Sequence, residues 1–67
     1  MLDSLLWSKI ARVIIQLAET LHISNERALR LFYSTHVCTM LHDPRYGLHL
    51  MSDTYIVNDI LRELQDR

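Results

Sequence analysis

The chain has 67 residues, 49% of them apolar, and seven basic against eight acidic side chains give a net charge of −1. That length holds one domain (residues 1–67) with a marginal core, and the apolar fraction argues against disorder. The scattered cations (Lys9, Arg12, Arg27, Arg30, Arg45, Arg62, Arg67) form no run and give a poor footprint for nucleic acid, while the lone Cys38 excludes an internal disulfide and suits a reducing, cytoplasmic setting.

The N-terminal "MLDSLLWSK" is acidic before it is basic, unlike a secretory signal, and no apolar run reaches the ~20 residues that cross a bilayer. A first helix is expected from about Ser4 to Leu21, capped by Asp3 or Ser4. At 100° per residue, Leu6, Ile10, Val13, Ile14, Leu17 and Leu21 form one apolar stripe. Trp7, Ala11, Ile15 and Ala18 form a second beside it, and Ser8, Arg12, Gln16 and Glu19 hold the opposite side. The apolar arc spans roughly 200°, about twice what a helix needs to face one core. Either the other helices wrap this one, or the second stripe meets another molecule.

A second helix begins at Ser24, with Glu26 in its first turn, where the helix dipole favours negative charge. Ala28, Leu31 and Phe32 are its buried face, with Leu29 and Tyr33 on a flank. Ser34 and Thr35 compete for backbone hydrogen bonds and end it. A short third helix runs from Thr35 to Leu41 with Val37, Met40 and Leu41 inward. Asp43-Pro44 then breaks the helical run, because a residue before proline is pushed out of helical angles. Gly47 supplies a positive φ at no steric cost. "LHLM" alternates as an extended segment does, with Leu48 and Leu50 on one side. Ser52 caps a last helix reaching Gln65, with Ile56, Val57, Ile60, Leu61 and Leu64 on one face. The expected fold is all-α, a small bundle of three to four helices with one extended connecting segment.

Chemistry-bearing constellations are sparse. The histidines (His22, His36, His42, His49) are spaced 14, 6 and 7 residues apart, matching neither HExxH nor a two-Cys, two-His finger, so no metal site is expected. Cys38 has no orienting acid or oxyanion motif beside it and reads as a structural thiol. Asp59 and Glu63 read as a solvated pair beside Arg62. No glycine-rich phosphate loop exists, and no cofactor is expected. The second and third helices can be read as a helix-turn-helix, against which stand the turn "STH", the shortness of the third helix and the neutral charge. Tyrosine supplies contact area at low entropic cost, so Tyr33, Tyr46 and Tyr55 are secondary interface candidates; Tyr55 packed over the loop is the alternative.

The order "ALRLFYST", "LHDPRYGLHLMS", "YIVNDILREL" resembles a bacterial family of very small helical proteins known as a domain of unknown function. The matching positions are Ala28, Leu29, Leu31, Phe32 and Tyr33, then Asp43, Gly47 and Leu48, then Ser52, Tyr55, Ile56 and Leu61. The resemblance covers about Ser24 to Leu64, and the first helix matches only in type. It implies no catalytic residue. It does imply a setting, because genes of that family often sit beside those of ADP-ribosyltransferase-like proteins in toxin-antitoxin-like arrangements.

The resulting expectation is a non-catalytic bacterial interaction module, an antitoxin or accessory partner. It binds a protein partner or self-associates as a homo-oligomer through Trp7, Ala11, Ile15 and Ala18, with Tyr33, Tyr46 and Tyr55 second. The alternative is a small dimeric DNA-binding regulator gathering Arg27 and Arg30 from two chains.

Overall fold

The computed structural model describes residues 2–66, with side chains from Ser4 to Asp66. The fold is all-α. Among the described residues four α-helices, α1 (Leu2–Leu21), α2 (Asn25–Tyr33), α3 (His36–His42) and α4 (Asp53–Gln65), are joined by tight turns and by two 3-10 turns, Pro44–Tyr46 and Leu48–Leu50.

Helix α1 starts two residues earlier than the sequence suggests. Ser4 therefore lies inside the first turn instead of capping it, and the side chain of Asp3 is outside the described residues. Its other end closes as a Schellman motif: the Ile23 N–H donates to the Ala18 carbonyl at 3.0 Å and the His22 N–H to that of Glu19 at 3.4 Å. The residue that takes the left-handed conformation there is His22, at φ 57°. Glycine is usual at this position, and histidine is one of the few side chains enriched there.

The motif turns the chain back, so α2 packs along α1, starting at Ser24, whose hydroxyl accepts from the Arg27 N–H at 3.2 Å. The core is one cluster. Ile10, Val13, Ile14, Leu17 and Ala18 of α1 meet Ala28 and Phe32 of α2, Val37, Cys38 and Leu41 of α3, Leu48, and Ile56, Val57 and Ile60 of α4. Phe32 is fully enclosed, which is worth about 2–3 kcal/mol of apolar transfer.

The segment after α3 is not extended. Pro44 opens a 3-10 turn whose first N–H, that of Arg45, donates to Asp43 Oδ1 at 3.0 Å. Gly47 at φ 65° ends that turn and starts the next, closed by Leu50 N–H to the Gly47 carbonyl and Met51 N–H to the Leu48 carbonyl, both at 3.0 Å. A period of three replaces the expected period of two. Leu48 and Leu50 therefore diverge: Leu48 enters the core and Leu50 is 78% exposed.

Candidate interaction surface

Three groups of contacts hold α1 so that one of its flanks stays open. Along one edge, Lys9 and Arg12 both pair with Asp53 at the start of α4, each at 3.0 Å. Lys9 also donates to the Met51 carbonyl, and the Gln16 side-chain amide donates to the Thr54 hydroxyl at 3.1 Å. Burial pushes the Asp53 carboxyl up, but the hydrogen bonds and charges of Lys9 and Arg12 outweigh it and hold the group below its ordinary value. Arg12 and Gln16, which the helical wheel places opposite the apolar stripes, are thus clamps onto α4. The central stripe faces the core. On the remaining side α2 covers the C-terminal turns.

This arrangement divides the second stripe. Trp7 is 61% exposed and Ile15 45%, and Ala11 between them is also exposed. Ala18 is 3% exposed and belongs to the core. Its assignment to the contact stripe is therefore corrected: it sits one turn from the α1–α2 joint, where α2 folds back over it. Trp7, Ala11 and Ile15 follow one another at i, i+4 and i+8, stacked along one side of α1 over about 12 Å.

The tyrosines are dispersed. Tyr33 is on α2, Tyr46 in the first 3-10 turn and Tyr55 in the first turn of α4, all exposed. Tyr33 sets its ring edge against Phe32, with centroids 5.4 Å apart, the one aromatic pair among the described residues. Leu29 lies one turn before Tyr33 and is exposed as well, extending the apolar flank of α2. Tyr55 is half uncovered and belongs to a different helix from the α1 stripe.

Other sequence candidates acquire definite places. Glu63 is not part of a solvated pair. Its carboxylate reaches the start of α3, accepting from the His36 N–H at 2.8 and 3.0 Å and from the Val37 N–H at 3.4 Å. Thr35 precedes that helix but makes no side-chain cap, because its hydroxyl donates to the Phe32 carbonyl at 2.7 Å. A carboxylate from α4 thus takes the capping role across 27 residues of sequence. Asp59 pairs with Arg62 at 3.7 Å.

Cys38 is buried, and that burial pushes its thiol up. Its sulfur lies 3.9 Å from His42 Nδ1, which sits 2.8 Å from the Cys38 carbonyl oxygen. The sulfur stays protonated, the reverse of the environment that makes a thiolate reactive. The i, i+4 relation of Cys38 and His42 could have been read from their spacing. Among the described residues no cluster of three or more His, Cys, Asp or Glu is placed to hold a metal ion. Helix α3 spans seven residues without Lys or Arg, and buries Val37, Cys38 and Leu41. No described helix is long and apolar enough to cross a membrane.

Comparison of the chain with family models, with curated proteins and with solved structures returns no match.

Proposed function

We propose that this chain is a non-catalytic protein–protein interaction module, and that Trp7, Ala11 and Ile15 of α1 form its contact stripe. The observation that carries the reading is the exposure of Trp7 and Ile15 in a domain whose every helix buries its own core face. A folded monomer leaves single apolar residues exposed, but a tryptophan and an isoleucine stacked on one helix side make the kind of patch that marks a contact site, and Leu29 and Tyr33 are exposed on α2 as well. Tryptophan and tyrosine are the residues on which binding energy concentrates. The resemblance of Ser24–Leu64 to a small bacterial family supports the finer reading of an antitoxin or accessory partner in the cytoplasm, encoded beside an ADP-ribosyltransferase-like protein.

Trp7 is the sole tryptophan, so its emission reports on the stripe directly. Association, with a second copy or a co-expressed neighbour, shifts that emission to the blue. A Trp7→Glu, Ile15→Glu double variant keeps its helicity, because both side chains are exposed, and loses the association. If the folded double variant associates as the unchanged chain does, the stripe is not the contact.

A further inference from the structure

A second surface carries a different chemistry. A groove of about 620 Å³ opens between the N-terminal half of α1, the end of α3 and the 3-10 turns. Leu6 and Leu41 line it, and Leu5 and Leu50 beside them are 72% and 78% exposed, the highest values among the large apolar side chains described. Leu5, Lys9 and Arg12 lie roughly 120° around α1 from the Trp7–Ile15 stripe, so the groove and the stripe are separate faces.

The two charged side chains among the described residues lining the groove are both cations, Lys9 and Arg12, with the imidazoles of His42 and His49 beside them and no carboxylate among those residues. Asp53, just behind, is shared by Lys9 and Arg12, so one negative charge answers two positive ones. Arg12 commits its Nε to Asp53, and among the described residues its terminal nitrogens have no partner, on a side chain that is 57% exposed. A guanidinium fork of this kind suits a carboxylate. Along α1 the groove runs from Leu5 to Arg12, about 10 Å, or about two turns of an opposed helix.

We infer that the groove takes an acidic amphipathic helix of a partner protein, with apolar side chains seated between Leu5 and Leu50 and a carboxylate directed at the Arg12 guanidinium. This rests on the reading of the chain as a protein-contact module and names a face and a partner chemistry for it. Helix-in-groove recognition places apolar anchors at i, i+3 or i+4 and i+7. Charge complementarity sets its orientation and its sensitivity to salt.

The test is a display library of short amphipathic helices whose polar positions are randomised among Asp, Glu, Lys, Arg and Ser, selected against the full chain. Selected sequences are expected to carry an excess of Asp and Glu. A synthetic peptide of one of them, followed by fluorescence anisotropy, binds Leu50→Glu at least about tenfold more weakly and Arg12→Gln several-fold more weakly. It loses affinity with added salt and binds the Trp7→Glu, Ile15→Glu variant unchanged. Leu50 is exposed, so Leu50→Glu keeps its circular dichroism spectrum. No enrichment, winners without acidic excess, or winners indifferent to Leu50→Glu overturn the inference. Winners that lose binding only to the Trp7→Glu, Ile15→Glu variant also overturn it, and leave the contact-module reading standing. Binding at neither face, together with a monomeric mass at all concentrations and on co-expression, removes both.

Discussion

Replacing Glu63 by Ala removes a carboxylate that ties α4 to the start of α3. Three backbone contacts converge on its carboxylate, two from the His36 N–H and a longer one from the Val37 N–H, and the side chain is only 23% exposed. A hydrogen bond to a charged partner contributes about 1.5–3 kcal/mol, and loss of a helix cap costs about 0.5–2 kcal/mol. These describe the same contacts and do not add, so about 2 kcal/mol is expected. Thr35 does not replace the cap, since its hydroxyl is turned to the Phe32 carbonyl. A domain of this size holds roughly 3–10 kcal/mol in total, so the loss is large. Urea unfolding followed by circular dichroism at 222 nm should show a lower midpoint with an unchanged slope. The melting temperature should fall by about 8–16 °C. Glu63→Gln keeps an acceptor and loses the charge, and should lie between the two. A Glu63→Ala variant within about 0.5 kcal/mol of the parent refutes the cross-helix cap.

Asp53 makes a pH-dependent contribution. Its folded carboxyl lies below the ordinary aspartate value of about 3.9, so the stability it adds is present above that value and is lost as pH falls through the lower folded value. Asp53→Asn should cost about 1 kcal/mol at neutral pH, and its difference from the parent in acid titrations should shrink as the pH falls below the ordinary aspartate value. His22→Gly relieves the left-handed side chain at the end of α1 and should raise stability by about 0.5–1 kcal/mol, a melting shift of about 2–8 °C. Gly47→Ala should cost about 1 kcal/mol for conformation alone, because an added Cβ meets nothing within 4 Å.

Helix positions were legible because their signals are local. Ser24 and Ser52 cap where their side-chain chemistry requires, and Pro44 and Gly47 break the chain where expected. The connecting segment was misread because "LHLM" offers too few residues to separate a period of two from a period of three. The end of α1 carried no glycine to announce it, and His22 fills that role by backbone conformation. Glu63 and the Lys9–Arg12–Asp53 cluster act across 27 and about 40 residues of sequence, beyond any periodicity argument. On the contact stripe, a wheel shows which residues share a side but not how far a neighbour reaches. That is why Trp7, Ala11 and Ile15 stay open and Ala18 does not. The groove with its cationic lining escaped notice because its walls come from three separated segments.

Native mass by sedimentation velocity, on the chain alone over a concentration series and after co-expression with the product of the adjoining gene, tests the interaction account most directly. The account predicts a species heavier than the 7.9 kDa chain in at least one of these conditions, reverting to 7.9 kDa in the folded Trp7→Glu, Ile15→Glu variant. A 7.9 kDa monomer throughout, or a heavier species that the double variant forms equally well, contradicts it.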